Sequence, residues 1–124
     1  MSSDIFYWTK HSQTKMSFYG LSSSRVKRVI RHPHRIEKGI APGTIAAMQR
    51  AGSKKHPYEI WVMYEIKHIK KNNKAGEKKE KSETNKKQKP ITIISAWKYP
   101  GKTKPGDPIP IPPEIFQEII KNYN

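Results

Sequence analysis

Between Glu59 and Ile69 the chain reads EIWVMYEIKHI, which puts Ile60, Val62, Tyr64 and Ile66 on one side of an extended segment and Trp61 and Met63 on the other. Side chains alternate across a strand, so this two-residue period predicts a strand with two apolar faces. ITIISAW (Ile91 to Trp97) is rich in β-branched residues and predicts a second strand, with Ile91, Ile93, Ser95 and Trp97 sharing a face. RIEKGI and TIAAMQ predict two weaker strands separated by a turn at Ala41-Pro42-Gly43, and IFYW a short strand near the N-terminus.

Elsewhere the period lengthens. Lys10 to Tyr19 reads as a helix closed by Gly20, a natural left-handed terminator. In LSSSRVKRVIRHP, Ser22 is placed as N-cap, and Leu21 and Val26 have the spacing of a hydrophobic staple. Val26, Val29 and Ile30 make the inner stripe, and Pro33 stops the helix. PPEIFQEIIKNYN predicts a last helix with Pro113 in its first turn and an apolar stripe of Ile115, Phe116, Ile119 and Ile120. The resulting order, β-α-α-β-β-β-β-α, describes a small single α+β domain over residues 1–124, its two N-terminal helices packed on an antiparallel sheet.

The two strongest strands flank KNNKAGEKKEKSETNKKQK, Lys71 to Lys89, with eight lysines, three glutamates and no large apolar residue. Such a segment buries too little to offset its ordering entropy, so it is expected to be a mobile loop at the tip of a hairpin. The whole chain carries +15, and this segment accounts for +5 of it, so +10 belongs to the folded body. Nucleic acid is the expected partner of such a surplus. With no cysteine, disulfides, cysteine nucleophiles and thiolate metal sites are excluded. No apolar run reaches the roughly 20 residues that span a bilayer, and MSSDIFYWTK lacks a signal-peptide pattern. A soluble, cytoplasmic protein without a membrane partner is expected.

Candidate binding residues follow from the charge pattern. Arg25, Arg28 and Arg31 recur at every third position on the second helix without acidic residues three or four positions away. They suit either a solvated face or an external anion. Trp97 and Tyr99 share a strand face. Turned inward they belong to the core; past the strand end, Tyr99 can stack on a base while Lys98 and Lys102 hold phosphates. Pro100-Gly101 is expected to turn the chain so that Lys102 and Lys104 return to the same rim. Arg35 completes the candidate surface. His32 and His34 flank Pro33 at a helix end, where capping is the better reading. His56 and His68 are expected at the surface. HPH offers two imidazoles without a third ligand at a familiar spacing, and no Gly-rich phosphate loop is present, so no metal or cofactor is expected.

WTKHSQTKMSFYGLSSSRVKRVIRHP resembles the opening of domain-of-unknown-function family 4258, in which a histidine-bearing helix leads through a G-[IL]-S turn into a second helix closed by proline. The matching residues are His11, Gly20-Leu21-Ser22, Val26, Ile30 and Pro33. The same segment, with IISAW near the end, is similar to the BrnT toxins, grouped with RelE and ParE, although Trp97 stands where the toxin pattern has arginine. That resemblance implies a small RNA-directed protein, favours RNA over DNA, and allows an acidic partner such as an antitoxin. It also implies the alternative of a metal-independent endoribonuclease. There His11 or Glu37 would take the 2′-hydroxyl proton, Tyr99 would donate one, and Lys98, Lys102 and Arg35 would neutralise phosphate.

Overall fold

The computed structural model describes residues 4–66 and 89–123. The expected loop at 71–89 therefore lies, but for Lys89, outside the described residues, as does His68. Along the chain run β1 (Ile5–Trp8), α1 (Lys10–Tyr19), α2 (Ser23–Arg31), β2 (Arg35–Lys38), β3 (Thr44–Gly52), β4 (Pro57–Ile66), β5 (Pro90–Pro100) and α3 (Pro113–Tyr123). The strands form one sheet in the spatial order β1-β5-β4-β3-β2.

Local chemistry sets the helix limits. The Thr9 hydroxyl accepts the Ser12 N–H and caps α1, and Gly20 ends it in the left-handed region at φ 68°. The Ser22 hydroxyl accepts the Arg25 N–H at 3.1 Å and starts α2, with Leu21 and Val26 both buried as a staple requires.

The sheet is mixed, which corrects the antiparallel expectation. β1 pairs with β5 in parallel from Ile5↔Pro90 to Trp8↔Ile93, while the other pairings are antiparallel. A parallel partner requires a crossover, and α1, α2 and β2 to β4 all lie within that connection. Thr9 ends the pairing: its amide and its hydroxyl both donate to the Ile93 carbonyl, and α1 then continues against β5.

A second correction concerns β5. Its register passes from Met63↔Ser95 to Tyr64↔Ile93, so Ile94 is an extra residue. A bulge of this kind turns the following side chains to the opposite face. Ile91, Ile93 and Ala96 join Val26, Val29, Ile60 and Val62 under α1 and α2. Ile94 and Trp97 instead join Trp61, Met63, Ile115 and Ile119 under α3. Trp61 and Trp97, paired across β4 and β5, stack with ring centroids 6.3 Å apart. The sheet thus carries a helical layer on each face, and Ile91, Ile93, Ser95 and Trp97 do not share one.

Because α3 is held by Ile115 and Ile119, both fully buried, Ile119→Ala should destabilise the protein by about 2–5 kcal/mol. The exposed change Gln117→Ala should stay within about 0.5 kcal/mol. Urea unfolding followed by tryptophan fluorescence measures both; equal midpoints would show that α3 is not part of the cooperative core.

Candidate nucleic-acid interface

The face covered by α3 becomes polar toward one end of the sheet. Across the strands the register forms a row of Arg35, Met48, Trp61 and Trp97, followed by a row of Arg50, Glu59 and Tyr99. Glu59 is fully buried at the end of an apolar strand, where an unsatisfied carboxylate would be costly. Its two oxygens are met by donors: the Trp61 indole N–H at 2.9 Å, and both the amide and hydroxyl of Thr103. Thr103 reaches them because Gly101, at φ 123° and bonded through its N–H to the Pro57 carbonyl at 2.9 Å, turns the chain back across this face.

Arg35 closes the network. Its guanidinium lies 5.1 Å from the Trp61 ring and donates to the Thr103 hydroxyl, to the Asp107 carbonyl and, at 2.9 Å, to Glu37. The Arg35 hydrogen bond, reinforced by the Gly106 N–H, holds the Glu37 carboxyl below its ordinary range. Arg50 adds a donor to the Thr103 carbonyl at 3.1 Å. Lys104 and Asp107 close the strap on itself through amide contacts.

Outside this network the end of the sheet is cationic. The β3–β4 turn, carrying Lys54 and Lys55, meets the end of β5 through the Pro57–Gly101 bond and the Tyr58↔Pro100 pairing. Arg50, Lys54, Lys55, Lys102 and Lys104 are exposed there, and Lys98 lies against the Tyr58 ring at 5.1 Å on the α1/α2 side. Among the described residues sixteen Lys and Arg stand against seven Asp and Glu, yet the only ion pair within 4 Å is Arg35–Glu37. None of the cations of the basic end is in an ion pair: Glu59 is buried against Thr103 and Trp61, and the Asp107 carboxylate accepts the Lys104 amide.

The expected site residues divide accordingly. Lys102 and Lys104 are exposed at the basic end, while Lys98 lies on the α1/α2 side against Tyr58. Tyr99 is half-buried beneath Gly101, whose Cα hydrogen points at the ring 3.5 Å from where a Cβ would sit. Trp97 is fully buried and donates to the Pro110 carbonyl at 2.9 Å, so the core reading holds and no base can stack on it. Arg35 is buried, and each of its three guanidinium nitrogens donates within the network rather than at the exposed rim. On α2, Arg28 is exposed, Arg31 leans with Lys27 on the Phe6 ring, and the Arg25 Nε is buried without a partner. His34 accepts the Arg50 N–H at 2.9 Å, and His32 is the C-cap of α2.

His11, Lys98 and Tyr99 do not share a cleft. His11 Nε2 is 2.9 Å from the hydroxyl of the fully buried Ser95; Trp97 separates that position from Tyr99 along the face, and Lys98 points to the other side. Among the described residues no group of three or more His, Cys, Asp or Glu is placed to hold a metal ion, and no helix is long and apolar enough to cross a membrane.

No family model, curated protein or solved structure matches the chain.

Sequence reasoning missed Arg50, Lys54, Lys55, Glu59 and Thr103. The lysine pair was legible as the tip of a hairpin, since Gly52-Ser53 interrupts two strands. Glu59 and Thr103 are 44 positions apart and carry no local signal.

Burial holds the His11 pKa below 6.5, with Glu118 opposing and Lys15 reinforcing the shift. The unfolded chain then binds more protons than the folded one between the lowered value and 6.5. This contribution to stability is intact above about pH 6.5 and is lost as pH falls below it. Thermal unfolding of His11→Gln should therefore be less sensitive to acidification from pH 7.5 to 5 than that of the wild type. Parallel pH profiles would show instead that His11 does not contribute.

Proposed function

We propose that this protein binds nucleic acid, RNA ahead of DNA, through the basic end of its sheet. The observation that carries this reading is the meeting of the β3–β4 turn with the end of β5, which gathers five exposed cations, none of them in an ion pair among the described residues. Like charges held together repel one another, and a polyanion relieves that repulsion while releasing its own counterions. The preference for RNA rests on the resemblance to the BrnT and RelE group. The element order and the paired N-terminal helices support placing the fold with that group, and a nucleic-acid ligand fits a cytoplasmic protein. Dispersal of His11, Lys98 and Tyr99 favours binding over strand cleavage.

Labelled single-stranded RNA titrated at several salt concentrations tests the proposal. With four to six phosphates engaged, log K should fall against log salt with a slope of about −3 to −4. Lys54→Ala with Lys55→Ala should reduce the slope by about 1.4, whereas Lys121→Ala, on α3, should leave it unchanged. Undetectable binding at low salt, or equal effects of the two changes, refutes this interface. Polyglutamate serves as competitor: displacement of RNA at matched charge would point to an acidic protein as the partner.

A further inference from the structure

The strap from Gly101 to Asp107 poses a separate question. Lys102 and Lys104 are exposed, and the residue between them, Thr103, is buried. Its hydroxyl accepts from Arg35 and faces both Glu59 oxygens at 3.0 and 2.9 Å, its amide donates to Glu59, and its carbonyl accepts from Arg50 at 3.1 Å. Every polar group of Thr103 is thus committed inward. A chain segment anchored at one residue through N–H, C=O and side chain together has little freedom to rotate, so its neighbours on either side must project outward.

Stability alone does not account for this arrangement. A buried ionic network is often no more stable than an apolar replacement of the same shape. What it supplies is direction: Glu59 and Arg35 belong to β4 and β2, which flank β3 in the sheet, so the sheet's geometry is transmitted to the strap. A lysine held in place also loses less freedom on binding than one on a loose loop.

We propose that Thr103 is the positioning residue of the basic end, locked to Glu59 and Arg35 so that Lys102 and Lys104 form a preset pair for neighbouring phosphates of one strand. This rests on the nucleic-acid reading above, but the two fail separately. Thr103→Val keeps the side-chain shape and removes the hydroxyl. It should weaken RNA binding about tenfold and flatten the salt slope by up to about 1.4, the contribution of two single-strand phosphates. Thr103→Ser, which restores the hydroxyl, should recover both. Lys102→Ala with Lys104→Ala should reproduce the loss, and adding Thr103→Val to that pair should change little further.

A folded Thr103→Val protein with the wild-type slope, alongside a weakened lysine double variant, overturns the positioning role and leaves the interface standing. A lysine double variant that binds like the wild type at every salt concentration overturns the phosphate-binding pair. Absence of RNA binding by the wild type removes the parent reading. If Thr103→Val does not fold, amide exchange in the wild-type protein decides. Protection of the Thr103 N–H supports the lock, and exchange at the rate of an unprotected peptide amide overturns it.

Discussion

A carboxylate with no access to water organises one end of this molecule. Glu59 begins the apolar run of β4 and pairs with Arg50 on one side and Tyr99 on the other. Burying it there requires donors that its own strand cannot supply in full, because the ladder already uses the backbone. Trp61, two residues along, supplies one; the remainder comes from Thr103. Satisfying Glu59 therefore pulls the strap back over the sheet. The returning segment then sets Pro110 above Trp97, whose indole N–H it accepts, and leads into α3. One desolvated acid is thus linked to the second apolar cluster, the third helix and the placement of two lysines.

The Ile94 bulge supplies the second constraint. Without it, the alternation that carries Ile91 and Ile93 to the α1/α2 side would carry Ser95 and Trp97 there as well. The extra residue moves Trp97 onto Trp61 and Ser95 into reach of His11. It also separates two neighbouring side chains. Lys98 is left on the helix-pair side and Tyr99 on the strap side, so two residues adjacent in sequence serve opposite surfaces.

Much of the scaffold was legible because it is encoded locally. Gly20, Ser22, Pro33 and Pro113 mark helix limits through backbone chemistry that needs no tertiary partner. The faces of β4 follow from strict alternation, and each residue from Ile60 to Tyr64 is buried on the side its parity assigns. The opposite held where a long-range contact overrode parity. IISAW carries no mark of a bulge, since the signal lies in its pairing with Met63 and Tyr64. Nor does IFYW reveal a parallel partner some 85 residues away. Arg35 misled for a related reason: an arginine at a strand start reads as a surface cation until Trp61, Glu37 and Thr103 are brought around it. The candidate interface was legible as charge, and its location depended on which turns the fold brings together.

Charge and fold oppose each other in this chain, and the opposition is resolved unevenly. Sixteen cations against seven anions in the described residues raise the electrostatic free energy of the compact state. Ordinary surfaces reduce that cost by interspersing signs, but only Arg35 has a carboxylate partner here, and Arg35 itself is buried. On α2, Lys27 and Arg31 are drawn against the Phe6 ring, whose negative face attracts both cations. No comparable relief exists for Lys54, Lys55, Lys102 and Lys104, which are exposed on two segments that the Gly101–Pro57 hydrogen bond ties together. The strap is anchored through the buried Thr103, with Lys102 and Lys104 exposed on either side of it. A ligand that binds only the folded state lowers its free energy by mass action, and a polyanion seated at this end would offset the repulsion the sequence retains there.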